Sequence, residues 1–267
     1  MPKDKKLSIS IVNFQSEDFI EDCLASVFDK AANLDCEVII VNNDEKEDLM
    51  EIKKRFSEIK IVDHKKNVGF GAGHNLGAKE TRGEFILFLN PDVELTDNIS
   101  PIIKLLENNE NIGIVGPQLL TDSGEIQAWS VGRETNIWEL IKNNLGFSPS
   151  KKLWKSTQQK EVHWVSGAAL FIRKSLWEKL GGFDEKFFMF FEDEDLCKRA
   201  RKNGSQVIYF PEVRARHACG KSTKDKKLQK EWFYKSQDYY FRKHFSKKTV
   251  NIIKLARKLF SKNRKHV

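Results

Sequence analysis

Cysteine is scarce in this 267-residue chain and shows no pattern: Cys23, Cys36, Cys197 and Cys219 never fall at C-x-x-C spacing. That excludes a zinc-finger framework and a disulfide scaffold, and it reads as the reduced, mostly buried thiols of a cytoplasmic protein. Long apolar runs are also missing. Phe85–Leu89 breaks off far short of the roughly 20 residues that a spanning helix needs. Met1-Pro-Lys-Asp-Lys-Lys6 leads into a strand-like segment without the apolar core of a signal peptide. Acidic residues are missing from the C-terminal stretch. Between Tyr239 and Val267 there are ten Lys or Arg and no Asp or Glu, so removing that stretch from the net charge of +8 leaves about −2 on the rest. The basic charge therefore belongs to a tail, and a nucleic-acid-binding module, which needs a basic face or a recognisable motif on its body, is not expected.

What is present alternates. Leu7–Asn13 reads as a buried strand. Glu17–Lys30 reads as a helix with Phe19, Ile20, Cys23, Leu24 and Val27 on one face and Ser16 as its N-cap. Cys36–Val41 is a second apolar strand, followed by a polar helix over Lys46–Phe56, a short strand at Ile59–Val62, a helix after Gly73 and a strand over Glu84–Leu89. Apolar strands alternating with helices predict an α/β fold with a mainly parallel central sheet covered on both faces, whose ligands bind outside the carboxyl ends of the strands. The second half is less regular. A helix over Ile99–Glu107, a strand over Ile112–Val115, an extended segment over Val162–Ile172, a helix over Asp193–Asn203, a strand over Val207–Phe210 and a helix over Lys226–Phe245 are expected. No linker divides the halves, so the reading is one domain over 1–246 and a basic amphipathic tail over 247–267.

Four segments stand out chemically. Phe85–Leu89 ends in Asn90-Pro91-Asp92, which holds a carboxylate at a strand's C-terminal edge; an ordinary Asx/Pro turn reads the same way. Asn67-Val-Gly-Phe-Gly-Ala-Gly-His-Asn-Leu-Gly77 is rich in glycine, yet it matches neither the dinucleotide fingerprint nor a P-loop, and it suits a tight loop as well as a phosphate site. Phe187–Phe191 runs into the four carboxylates Glu192–Asp195. A helix N-terminus would favour such acids, and the aromatic run would desolvate one of them and raise its basicity. The fourth is Arg214-Ala-Arg-His217, where a lone histidine is more often a packing residue than a ligand.

In order along the chain, Ser10-Ile-Val-Asn-Phe-Gln-Ser16, the glycine segment 67–77, Leu89-Asn-Pro-Asp92, Trp164-Val-Ser-Gly-Ala-Ala169, the Gly181–Leu196 block, and His217 with Ser222 resemble the family 2 glycosyltransferases of GT-A fold. The likeness is closest to their rhamnosyltransferase-like bacterial branch. It implies an inverting transferase using Mg²⁺ or Mn²⁺ to move a sugar from a nucleotide-diphospho-sugar, dTDP-rhamnose or a UDP-hexose, to a glycan or lipid-linked acceptor in surface polysaccharide synthesis. A non-catalytic sugar-nucleotide-binding relative is the alternative.

By that resemblance Val12, Asn13 and Phe14 line the nucleotide pocket, with Asn42, Asn67, Asn75 and Asn90 contributing amides. Asp92 and His217 hold the metal, Asp193 is the catalytic base, and Trp164 and Glu192 face the acceptor. Two departures stand out. Asn42 replaces the usual aspartate, keeping an acceptor for a pyrimidine N3–H but losing its charge. Asn90 replaces the first carboxylate of the D-x-D motif. In the tail, Ile252, Ile253, Leu255, Leu259 and Phe260 interleave with Lys254, Arg257 and Lys258. That pattern suits peripheral docking on an anionic membrane as well as packing on the domain.

Overall fold

A computed structural model describes residues 5–144, 150–218 and 225–261. In chain order its first half comprises β1 (Leu7–Asn13), α1 (Glu17–Lys30), β2 (Cys36–Asn42), α2 (Met50–Arg55), β3 (Lys60–Asp63), α3 (Phe70–Ala78), β4 (Phe85–Leu89), β5 (Val93–Leu95), α4 (Ser100–Asn108) and β6 (Ile112–Leu120). Then follow β7 (Val131–Gly132), α5 (Ile137–Asn144), α6 (Lys151–Trp154), β8 (Lys160–Glu161), β9 (Trp164–Val165), β10 (Ala169–Arg173), α7 (Lys174–Leu180), α8 (Glu192–Lys202), β11 (Gln206–His217), α9 (Lys226–His244) and α10 (Lys247–Ser261). Ser222 and Cys219 lie outside the described residues, as do the side chains of Leu259 and Phe260.

The main sheet runs β3-β2-β1-β4-β10-β6-β11-β5, with β8 on the flank of β11. β1 pairs in parallel with β2 and β4, β2 with β3, and β6 with β11, while β10 runs antiparallel between β4 and β6. Alternation along the strands explains the layers. In β4, Phe85, Leu87 and Leu89 face a core shared with Ile20, Leu24 and Val27 of α1 and Ile102, Ile103 and Leu106 of α4. Ile86 and Phe88 face the opposite core, with Leu176 and Trp177 of α7 and Leu196, Cys197 and Ala200 of α8. The sheet is thus mixed, mostly parallel and covered on both faces. A third cluster joins Tyr240 and Phe241 of α9 and Val250 and Ile253 of α10 to Phe187 and Phe191.

Two expectations need correction. The glycine segment, read as a tight loop or a phosphate site, is a helix from Phe70 onward. A Cβ at Gly77 would come within 2.5 Å of Ser10 Oγ, and one at Gly73 within 2.9 Å of Val12, so the glycines let α3 lie directly on β1. The strand read as ending at Phe210 continues to His217. Pro211 is absorbed at a register shift between Phe210 and Arg214, beyond which Val213, Ala215 and His217 point inward and Glu212, Arg214 and Arg216 outward.

Candidate active site

Because β1, β2 and β4 are parallel, Asn13, Asn42 and Asn90 emerge at one edge of the sheet, with Asn13 in register with Asn42. Asn13 Nδ2 donates to Asn42 Oδ1 over 3.4 Å and also to the carboxylate of Glu47. Asn42 Nδ2 donates to Glu47 O and to Asp63 Oδ1, and Asn42 Oδ1 also accepts from the Asp44 amide. Asn42 therefore braces this edge, its acceptor already carrying two hydrogen bonds. The carboxyl it lacks stands beside it on Glu47, whose pKa is raised by burial and held back by its bond from Asn13. Glu47 escaped the sequence reading because it lies in a polar stretch with no periodic cue. Asn13 Oδ1 is buried without a hydrogen-bond partner among the described residues. Val12 packs beneath Gly73, and Phe14 is half-buried at the rim, its carbonyl accepting from Ser16 Oγ.

The second group forms where β5 pairs antiparallel with β11, setting His217 opposite Val93, next to Asp92. His217 Nε2 lies 3.4 Å from Asp92 Oδ1 and 3.5 Å from Asn90 Nδ2. Both side chains are buried, and Asp92 Oδ1 has no hydrogen-bond partner among the described residues. A buried carboxylate oxygen facing an imidazole nitrogen is a donor set that suits a divalent cation. No cluster of three His, Cys, Asp or Glu positioned for a metal occurs among the described residues, so a cation held here would take its remaining ligands from phosphates and water.

The third group is the acidic turn opening α8. Phe190 and Phe191 adopt left-handed backbone angles, φ 72° and 69°, and this strained entry aims Asp193 back at the β9–β10 turn. Asp193 Oδ2 accepts from the Gly167 amide and Oδ1 from the Glu194 amide, both at 2.8 Å. Burial raises its pKa, and the two amides pull it partly back. Glu192 is buried, its Oε2 without a hydrogen-bond partner among the described residues, and desolvation, reinforced by the charge of Asp193, raises it well above its ordinary value. Glu194 rises to about 8 by burial. Asp195 is not the solvated helix-dipole partner that its place in a first turn suggests. It is fully buried, and bonds from His244, Lys243 and Arg199 outweigh desolvation to hold it at about 2.

Asp193 and the Asp92–His217 group meet through the backbone. The Asn90 amide donates to Ala168 O at 2.9 Å, and the neighbouring Gly167 amide binds Asp193. Three other expected residues lie apart from this junction. Asn67 Oδ1 caps the Gly69 amide in a local turn. Asn75 is a brace, because its amide donates to Phe183 O and to Glu185 Oε1 while its carbonyl accepts from the Phe183 amide. Trp164, expected on the acceptor side, is turned inward: its Nε1 donates to Arg133 O and its ring covers Gly132.

Residues 8–180 match the family described as Glycosyl transferase family 2. The low-salt glycan biosynthesis hexosyltransferase Agl10 of Haloferax volcanii is 27% identical over 205 residues, covering 75% of this chain and 63% of that protein. The N-acetylglucosaminyl-diphospho-decaprenol L-rhamnosyltransferase of Mycobacterium tuberculosis is 26% identical over 192 residues, 64% of this chain and 62% of its own. The chain thus spans about three fifths of these relatives. Among solved structures, GalNAc-T7 with UDP, GalNAc and Mn²⁺ superposes with a TM-score of 0.63 at 18% identity, covering 80% of this chain and 43% of that one. That likeness establishes the fold as GT-A.

Proposed function

Since this chain belongs to glycosyl transferase family 2, we propose that it is a metal-dependent inverting transferase. It carries a sugar from a nucleotide-diphospho-sugar, dTDP-rhamnose or a UDP-hexose, to a hydroxyl of a glycan or lipid-linked acceptor in surface polysaccharide synthesis. The observation that carries this reading is the shared backbone junction: Gly167 and Ala168 join the Asp193 carboxylate to the Asn90–Asp92 turn. Asp193, with both oxygens oriented by amides and its basicity raised by burial, accepts the acceptor hydroxyl's proton as that oxygen bonds to the anomeric carbon. The bond from that carbon to the diphosphate breaks on the opposite side, so a single displacement inverts the centre. Asp92 and His217 would hold Mg²⁺ or Mn²⁺, which neutralises the charge gathering on the departing diphosphate. Burial and the charge of Asp193 push Glu192 well above its ordinary value, which works against a second negative charge beside the incoming hydroxyl.

On this reading the enzyme works in the cytoplasm, at the membrane surface where a lipid-linked acceptor is presented. Exposed Ile252 and Leu255 on α10, among basic residues, support peripheral contact. A panel of nucleotide-sugars tested by thermal shift with and without Mn²⁺ identifies the donor, since ligand at a hundredfold excess over its Kd stabilises by about 2.7 kcal/mol. Release of nucleoside diphosphate on incubation with that donor and an acceptor then separates a transferase from a non-catalytic binder. A chain that binds a donor but never turns it over contradicts the proposal.

A further inference from the structure

The turn after β6 brings in a residue to which the reading of the site gives no role. β6 doubles back through Thr121–Glu125, where Gly124 takes φ 78° and the Thr121 amide donates to Glu125 O. The Gln127 amide then donates to Leu119 O, and Ser130 Oγ donates to Gln127 O. This fixed return sets the Gln127 side chain beside β11, with Oε1 3.0 Å from His217 Nδ1. An amide oxygen only accepts, so Nδ1 must carry the proton. On the other side of the ring, the Asn90 amide nitrogen at 3.5 Å and the unpartnered Asp92 Oδ1 at 3.4 Å face Nε2. With Nδ1 protonated, the Asn90 amide can donate toward the Nε2 lone pair, and a cation between Nε2 and Asp92 Oδ1 would satisfy the carboxylate oxygen and the lone pair that face each other there. Metal-binding histidines are commonly oriented in this way, by an acceptor on the ring N–H that does not face the metal.

We propose that Gln127 is the positioning residue that presents His217 Nε2, with its lone pair, to the cation shared with Asp92. The inference rests on the metal site of the proposed function. It adds that this site is built from three separate segments, one of them the 121–127 turn, with Gln127 never touching donor or metal.

The test titrates Mn²⁺ into the full-length chain in the presence of UDP or dTDP, whichever stabilises the wild type, and repeats the nucleotide titration in chelator. Gln127→Leu removes the acceptor at similar size, while Gln127→Glu keeps it. Loss of such a partner typically weakens metal affinity about 10–100-fold, and that is the expected effect of the leucine variant, with the glutamate variant staying close to wild type. In chelator all three chains should bind nucleotide alike, which also shows that the leucine variant is folded. Side-chain ¹⁵N NMR of neutral His217 supplies a readout that a merely structural role would not move: the Nδ1–H form in wild type and Gln127→Glu, and a shift toward Nε2–H in Gln127→Leu. Wild-type Mn²⁺ affinity and an unchanged tautomer in Gln127→Leu overturn the role of Gln127 alone. A wild-type chain indifferent to Mn²⁺ overturns the metal reading, and this proposal with it.

Discussion

Four consecutive carboxylates on one helical turn, Glu192 to Asp195, stand in different electrostatic settings because each meets different neighbours. Asp193 alone is oriented by two amides toward the β9–β10 turn. Asp193→Asn keeps the shape and removes the proton acceptor. It is expected to leave donor binding intact while lowering kcat about 10²–10⁴-fold, measured by steady-state kinetics beside calorimetry of the donor complex. With the pKa of Asp193 raised above 3.8, activity should fall on the acid side at a higher pH than an ordinary aspartate would give. Asp92→Ala and His217→Ala should each weaken nucleotide binding in Mn²⁺ but not in chelator; equal binding in both would remove these residues from metal duty. Asp195 belongs to stability instead. Asp195→Asn strands Arg199, Lys243 and His244 around an uncharged amide, and breaking such a buried pair costs about 3–5 kcal/mol, readable by denaturant unfolding. Its folded pKa of about 2 lies below the ordinary 3.8, so its contribution is fully present above about pH 4 and disappears as pH falls toward 2.

At the scale of elements, the site depends on how α3 meets the aromatic run ahead of α8. Gly69 has φ 88°, and a Cβ there would sit 2.2 Å from Phe188 O, the same carbonyl that accepts from the Phe70 amide at 3.0 Å. Gly167 likewise leaves room for the Phe70 ring, 2.9 Å from where its Cβ would lie. Gly69→Ala should therefore destabilise by at least the 1–3 kcal/mol (roughly) of backbone strain. It should also lower turnover more than donor affinity, because the displaced Phe188 segment leads directly into Glu192 and Asp193. Loss of stability with unchanged turnover at permissive temperature would show that the α3 contact does not position the base.

For the whole molecule, the two C-terminal helices act as a clamp. α9 ties to the segment leading into the acidic turn through Ser236 Oγ to Met189 O, Tyr239 and Lys243 to Asp184, and Lys243 and His244 to Asp195. α10 lies on α9 through Val250 and Ile253, and Arg257 bonds Gln237 and Asp238, so part of the tail packs on the domain. Among the described residues no helix is long and apolar enough to cross a membrane. Truncation after Phe245 should lower the Tm, since burying each of Val250 and Ile253 contributes about 1.5–3 kcal/mol. It should also reduce sedimentation with anionic vesicles at low salt, because Ile252 and Leu255 are lost along with the basic residues. Equal pelleting of full-length and truncated chains would take α10 out of any membrane contact.

The sequence by itself determined the layered α/β architecture, because unbroken apolar strands such as Phe85–Leu89 and amphipathic helices such as Glu17–Lys30 carry their burial in local periodicity. It also marked Asn90–Asp92, the acids 192–195 and His217 as chemically distinctive, since each interrupts a pattern. Only the tertiary structure decided which of the marked groups share a site. Antiparallel pairing of β5 with β11 sets His217 beside Asp92 from 125 positions away, and no local cue encodes that register. The same holds for Glu47 and Gln127, ordinary polar residues in irregular segments whose importance lies in what they touch. Asn75 and Trp164 show the converse: residues conspicuous in motifs are turned into braces because Phe183 and Arg133 capture their polar atoms. Periodicity is a property of neighbours in the chain. Hydrogen-bond partnership and desolvation are properties of neighbours in space, and a site is made of the latter.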